Sequence, residues 1–110
     1  MVRQIPEADW RHWKKTSGAA LERFCEKILK KAAGFERGSG SAHARYQELF
    51  KYIKKSDDTI AEVFDNPRRS SAYIQIAKAV QAGMVEHEEL SVFSEETKAV
   101  LDLLLGRRRG

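Results

Sequence analysis

The residues whose chemistry stands out are basic, and two consecutive arginines after a proline are the most informative. Residues 66–71 read Asn-Pro-Arg-Arg-Ser-Ser, which predicts a helix start with the asparagine as N-cap and the proline in the first turn. Two arginines there oppose the helix dipole, at a cost of about 0.3–1 kcal/mol each unless an anion compensates. Arg68 and Arg69 therefore suggest a receptor for a phosphate or carboxylate group. The alternative is that Glu62 or Asp65 supplies the compensating charge within the chain.

A second group of basic residues lies on one helix predicted between about residues 19 and 33. Its members fall within a sector of about 100° beside the apolar stripe of that helix. They are Arg23, Lys27, Lys30 and Lys31. Glu22 and Glu26 take the opposite flank. A face that follows a phosphate backbone needs such a separation of charge, and ordinary solvated charge gives the same pattern.

A tyrosine near basic residues is the third feature. Tyr52 lies off the apolar stripe of the next predicted helix, on the same side as Arg45. An exposed tyrosine beside basic groups can stack on a nucleobase, and the alternative is that its ring covers a neighbouring helix. The candidates for contact with an anion or nucleic acid are therefore Arg23, Lys27, Lys30, Lys31, Arg45, Tyr52, Arg68 and Arg69.

The residue types that usually carry catalysis or bind metals are scattered. His12, His43 and His87 lie on different predicted helices, without the His-Glu-x-x-His spacing of a metal site. Cys25, the only cysteine, lies on an apolar stripe and is expected to be a core thiol. Paired acids are neighbours in sequence, and adjacent helical residues point about 100° apart, so these acids do not face each other. We expect neither an enzyme nor a metal or cofactor site.

The elements that position these residues are all predicted to be helical. Apolar residues recur at helical spacing, and no segment alternates with a period of two. We expect an all-α single domain, residues 1–110, of five to seven short helices in a bundle-like or orthogonal array. Residues 34–41 are expected to form a flexible connection, and residues 106–110 a basic tail.

Capping residues and glycines predict where the helices begin and end. The first helix starts after Pro6 and bends or stops at Gly18. Ser41 caps a later helix, which the Ser-Asp-Asp run at residues 56–58 is expected to break. Further helices are predicted from Pro67 to Ala82, over Glu86–Phe93, and from Ser94 to Leu105.

The same periodicity predicts the core. Its expected members are Leu21, Phe24, Ile28, Tyr46, Leu49, Phe50, Ile53, Phe64, Ile76, Val80 and Leu104. On this interpretation Phe50→Ala costs about 3–5 kcal/mol, the usual penalty for emptying a buried aromatic site.

Composition limits the class of protein. The chain has 110 residues, of which 42% are hydrophobic and 33% charged, so it can form one core and does not resemble a disordered or membrane-embedded protein. No signal peptide is visible, and one cysteine excludes an intrachain disulfide, so the cytoplasm is the expected location. The net charge is +4, and the basic excess lies in the first half of the chain.

Two functions follow from these patterns. The first is a non-enzymatic helical module that contacts an anionic partner, most concretely nucleic acid, through the basic N-terminal half. The second is a protein–protein interaction or regulatory module, which could be a homodimer formed through the leucine-rich C-terminal helix. Neither function involves a membrane.

Overall fold

The computed structural model describes residues 4–107, and every regular element in that range is helical. This confirms the predicted all-α class. The helices are α1 (Glu7–Gly34), α2 (Ala42–Phe64), α3 (Ala72–Gln81), α4 (His87–Ser91) and α5 (Glu95–Leu104), with short 3-10 helices at Phe35–Arg37 and Arg69–Ser71. The first two are long, because two predicted breaks do not occur.

Neither predicted break interrupts its helix. Gly18 lies within α1, and the space beside its Cα is open, so it costs only about 0.5–1 kcal/mol relative to alanine. Thr16 and Ala20, buried on either side of it, hold that turn of the helix against the core. Ser56 is also buried within α2, where a small side chain suits a position facing α1. Packing between helices therefore outweighs the local preferences of both residues.

Helices α1 and α2 form an antiparallel hairpin. At one end Trp13 stacks on Phe64, with ring centroids 6.5 Å apart, and at the other Phe35 meets Tyr52 at 5.7 Å. Residues 35–41 connect the helices, and Ser41 accepts a hydrogen bond from the Ala44 amide at 3.1 Å, which confirms its predicted role as N-cap. We call this the turn end of the hairpin, and the opposite end the open end.

Helices α3 to α5 cover only the open end. The buried apolar residues lie in the first half of α1, the last turns of α2 and these three helices with the segments that flank them: Ile5, Trp13, Ala20, Val63, Ala72, Ile76, Ala77, Ala79, Met84, Phe93 and Leu101. The turn end projects away from this core. The radius of gyration is accordingly 16.6 Å, with extents of 53 × 31 × 25 Å, against about 13 Å expected of a compact chain of this length.

The predicted core is therefore correct near the open end and wrong near the turn end. Ile76 is buried, and Phe24, Phe64 and Val80 pack against the buried cluster. Three predicted core residues toward the turn end are exposed, Tyr46, Phe50 and Ile53, and so is Leu104 at the end of α5. Periodicity identifies the apolar side of each helix, but it does not show which side and which end of the hairpin the other helices cover. Because its ring is exposed, Phe50 does not fill a buried site. The large loss of stability expected for Phe50→Ala was based on burial of that ring, and this basis is wrong.

The helix start predicted at Pro67 is also wrong. Asn66 adopts a left-handed conformation with φ of 50°, which asparagine tolerates better than most residues. Arg68 is extended, and α3 begins only at Ala72, after a 3-10 turn. The chain must reverse between α2 and α3, and the Gln75 side chain fixes this turn by donating to the Asp65 carbonyl at 3.0 Å.

The last two helices begin where capping residues predict. Glu86 and Glu89 form a reciprocal capping box at the start of α4, which is shorter than the predicted Glu86–Phe93. Ser94 caps α5, its Oγ accepting from the Thr97 amide at 3.3 Å.

A buried carboxylate ties α1 to α5. Asp9 accepts hydrogen bonds from the Ser94 amide at 3.0 Å, the Ser94 hydroxyl at 2.6 Å and the Thr97 hydroxyl at 2.5 Å. Burial alone raises the pKa of Asp9, but these hydrogen bonds and nearby His12 outweigh it and hold the pKa below its usual value. Asp9 thus holds the start of α1 against the start of α5.

Candidate interaction surfaces of the helical hairpin

Arg69 is bound within the chain. Its guanidinium donates to the Ile5 carbonyl at 3.0 and 3.3 Å and pairs with Glu7 at 2.9 Å. The compensating acid is therefore Glu7 from α1, and neither Glu62 nor Asp65 takes that role. Arg69 anchors the segment before α1 onto the 3-10 turn before α3.

The anion receptor predicted at residues 66–71 is not assembled. The receptor needed an α-helix that starts at Pro67 and turns its first amides toward the arginines, and α3 starts five residues later. Arg68 is exposed and contacts the amide group of its neighbour Asn66.

Arg23 is also an internal tie. Its guanidinium binds both Glu89 carboxylate oxygens, at 3.0 and 3.2 Å, pairs with Glu86 at 3.1 Å and donates to the Met84 carbonyl. The hydrogen bonds to Glu89 raise the pKa of Arg23. Burial alone raises the pKa of Glu89, but Arg23 and the Glu86 amide outweigh it and lower that pKa. This network joins α1 to α4, so the Arg23 guanidinium stabilises the packing of these two helices.

Two further basic candidates donate to backbone carbonyls. Lys27 donates to Gly83 at 2.9 Å, and Arg45 donates to the Glu36 carbonyl at the turn end. Lys27 stays exposed and its charge is available to solvent, whereas Arg45 is half-buried, with a buried Nε that has no partner among the described residues.

Tyr52 and Lys31 contact each other. The Lys31 ammonium lies 4.6 Å from the centroid of the half-buried Tyr52 ring, which also contacts Phe35. The tyrosine therefore covers the junction of the two helices, the alternative considered from the sequence. Lys30 and Lys55 are exposed on the same stretch of α1 and α2. We call the surface formed by Lys27, Lys30, Lys31 and Lys55 the basic face.

Sequence reasoning missed an exposed apolar surface on the other side of the hairpin. Four large side chains lie there with much of their surface in solvent: Leu29 (65%), Tyr46 (62%), Phe50 (58%) and Ile53 (42%). Together with Cys25 they form what we call the apolar face. Cys25, Leu29 and Ile53 line one open groove between the helices, and Tyr46 and Phe50 continue it toward the turn end. Half-buried Cys25 is thus a groove residue, and its predicted place in the core is wrong.

The position of this face follows from helix geometry. Leu29 lies nine residues beyond buried Ala20, which is about 180° around an α-helix of 3.6 residues per turn. The apolar face therefore points away from the side that α3 to α5 cover. A signal was present in the sequence, because Tyr46, Phe50 and Ile53 widen the apolar stripe of α2 beyond what contact with α1 alone can bury.

The C-terminal helix presents a smaller apolar surface than its leucine content suggests. Leu101 is buried and Leu105 packs against the core, which leaves Leu103 and Leu104 exposed. Arg107 pairs with Asp102 at 3.3 Å, and the rest of the predicted basic tail, residues 108–110, lies outside the described residues.

Within residues 4–107, no group of three or more His, Cys, Asp or Glu side chains is placed to hold a metal ion. Nor does this range contain a helix with the length and apolar character needed to cross a membrane. No protein-family model, curated protein or solved structure matches the chain. The two faces of the hairpin are therefore the candidate functional surfaces of the described residues.

Proposed function

We propose that this chain is a protein–protein interaction module that docks a helical partner on the apolar face of its hairpin. The observation that carries the proposal is the cluster of four large exposed apolar side chains on one side of α1 and α2. Contiguous apolar patches are uncommon on monomers and often mark binding surfaces, because burying them releases about 25 cal/mol for each Å² removed from water.

The shape of the surface suits a helix. A groove between two antiparallel helices accepts side chains from a third helix at the same spacing by which α1 and α2 pack on each other. Tyr46 and Phe50 supply aromatic rings, a residue type enriched at the centres of interfaces. Arg23 and Arg69, by contrast, are occupied within the fold, which weakens the case for phosphate binding through them.

Photo-crosslinking in the cells that make the protein tests this function. The photoreactive residue p-benzoylphenylalanine replaces Phe50 in one variant and Val92, an equally exposed apolar residue on another part of the surface, in a control. We expect a discrete protein adduct from position 50 that is absent from position 92. We also expect Leu29→Lys, on the other helix of the groove, to abolish it. Equal labelling at both positions, or no adduct at position 50, overturns the proposal.

A second candidate function is contact with a nucleic acid through the basic face. It is favoured by the exposed lysines of the basic face, of which Lys31 lies over the Tyr52 ring. Such a surface gives phosphate contacts with little sequence specificity. The candidates for this contact are Lys27, Lys30, Lys31 and Lys55, whereas Arg23, Arg45 and Arg69 are already engaged by contacts within the chain.

The salt dependence of binding to labelled single-stranded and duplex oligonucleotides tests this second function. Replacing Lys30 and Lys31 with glutamine is expected to reduce the log–log salt slope by about two, because each lysine that binds a phosphate accounts for about one unit of that slope. The control replaces Lys14 and Lys15, exposed lysines at the open end, where Lys14 lies over the Trp10 ring much as Lys31 lies over Tyr52. The same reduction from both pairs, or no binding in dilute salt, counts against a nucleic-acid site on the basic face.

A further inference from the structure

The two edges of the apolar face carry opposite charges. Beyond Leu29, the outer edge of α1 presents Glu22 and Glu26. Beyond Phe50, the outer edge of α2 presents Lys51 and Lys54, and Asp58 follows one turn beyond Lys54 toward the open end. All five side chains are exposed. At about 100° per residue, Glu22 and Glu26 lie about 20° and 60° beyond Leu29, and Lys54 lies about 40° beyond Phe50, each on the side away from the other helix.

The face also ends in a defined way at its two extremities. Toward the open end, Asp57 and Ile60 join the lining of the groove, and toward the turn end the apolar residues stop at Tyr46. Cys25, Leu29 and Ile53 line the same stretch of groove. Glu26 and Lys54 each lie next to one of these residues, so they are within about 3 Å of the same height on opposite edges, at a rise of about 1.5 Å per residue. The face is therefore an apolar strip with an acidic edge and a basic edge at matching heights.

We propose that the occupant of the apolar face is a second copy of this chain. The two copies are related by a two-fold axis parallel to the hairpin, so that α1 of each packs over α2 of the other in a four-helix bundle. This inference rests on the proposed function and names its partner. A two-fold interface brings the same surface of both copies together, so the surface must complement itself. Here the strip meets its own apolar side chains, and Glu26 of each copy meets Lys54 of the other.

The alternative stacking of two copies is disfavoured by charge. A two-fold axis across the hairpin places α1 over α1 and α2 over α2, which brings acidic edge to acidic edge and basic edge to basic edge. The remaining helices do not obstruct the parallel arrangement. Leu29 points about 180° away from Ala20, which faces the core, so α3 to α5 lie on the outer side of each copy.

Sedimentation equilibrium of the full chain tests this arrangement directly. We expect a particle of twice the 12.6 kDa chain mass. Phe50→Lys is expected to raise the dimer dissociation constant about a hundredfold, the effect of removing an aromatic residue near the centre of an interface. Val92→Lys, the same change at an exposed apolar residue elsewhere, is the control and is expected to leave it unchanged. Thermal melts establish that each variant is folded.

Charge reversal distinguishes the two-fold arrangement from unspecific apolar association. Glu26→Lys and Lys54→Glu are each expected to raise the dissociation constant about tenfold, because each creates two like-charge contacts per dimer. Both changes in one chain are expected to restore the wild-type value, since the reversed charges again meet across the interface. Glu88→Lys, with the same change in net charge on exposed α4, controls for general electrostatics.

Three results would overturn the second-copy proposal: a monomer at all concentrations, a dimer that Phe50→Lys does not weaken, or a double reversal that does not restore association. None of them alone removes the proposed function. An adduct from position 50 with a different protein would then show that the apolar face binds another partner. The absence of any adduct would remove both proposals.

Discussion

The open end and the turn end of the hairpin are built from the same two helices and have opposite surfaces. At the open end, Trp13 and Val63 are buried under α3 to α5. Toward the turn end, on the opposite side of the hairpin, Leu29 and Phe50 remain in solvent. The difference lies in what covers them, because the short helices pack on one side of one end of the hairpin. An apolar stripe therefore shows which side of a helix seeks contact, and the contact can come from within the chain or from outside it.

The largest expected effect separates the two ends by their contribution to folding. Ile76→Ala empties a fully buried site at the open end and is expected to lower the free energy of unfolding by about 2–5 kcal/mol. Phe50→Ala at the turn end is expected to cost about 1 kcal/mol or less in the monomer, because most of that ring is already in water. Urea denaturation, at protein concentrations low enough to exclude association, measures the free energy of unfolding of both variants.

Similar losses in the two variants would show that the turn end is part of the folding core. A Phe50→Ala cost that grows with protein concentration would instead support a role in association, since a subunit contact stabilises the folded state by mass action.

The sequence predicts most of the features that depend on residues close together in the chain. The helical class, the caps Ser41 and Ser94, and the helix ends near Gly83 and Gly106 all follow from short-range preferences, and the structure confirms them. Gly83 and Gly106 adopt positive φ values of 72° and 69°, which other residues rarely adopt.

What depends on distant parts of the chain could not be predicted in the same way. Arg69 binds the Ile5 carbonyl, 64 residues earlier, and Arg23 binds Glu89, 66 residues later. Spacing along one helix carries no information on such partners. Because these partners are distant in sequence, spacing alone does not show that Arg23 and Arg69 have partners within the chain. Nor does it show that Phe50 is exposed, since a core residue would have the same helical spacing.

The second prediction concerns the carboxylate that holds the open end together. Removal of the Asp9 side chain in Asp9→Ala leaves the Ser94 and Thr97 groups without their acceptor and is expected to cost about 1–3 kcal/mol. The pKa of Asp9 is lowered in the folded state from its usual value of 3.8. Its ionised form therefore stabilises the fold at every pH above that value, and the contribution is lost as the pH falls through the lower, folded-state pKa.

The pH dependence of the free energy of unfolding tests whether ionised Asp9 stabilises the fold. Asp9→Asn is expected to unfold with a shallower loss of stability on acidification than the wild type. Glu89, whose pKa is also lowered, keeps part of the acid sensitivity in the variant. An unchanged acid profile would show that the Asp9 carboxylate does not contribute to stability through its charge. Asp58→Asn on α2, where the carboxylate is exposed and does not line the groove, is the matched control.

The smallest expected effect distinguishes two neighbouring arginines. Arg69→Ala removes the tie from the 3-10 turn to Ile5 and Glu7 and is expected to lower the free energy of unfolding by about 1 kcal/mol, a modest value because the pair with Glu7 is partly exposed and screened by solvent. Arg68→Ala is expected to be close to neutral, since its contact is with Asn66, two residues earlier on the same exposed turn. Thermal denaturation of both variants at low and high salt measures the difference. Salt is expected to reduce the Arg69 effect only in part, because the hydrogen bonds to the Ile5 carbonyl do not need a carboxylate. Equal effects of the two substitutions would contradict an anchoring role for Arg69. Both arginines would then be positive charges available to a partner, as the sequence predicts.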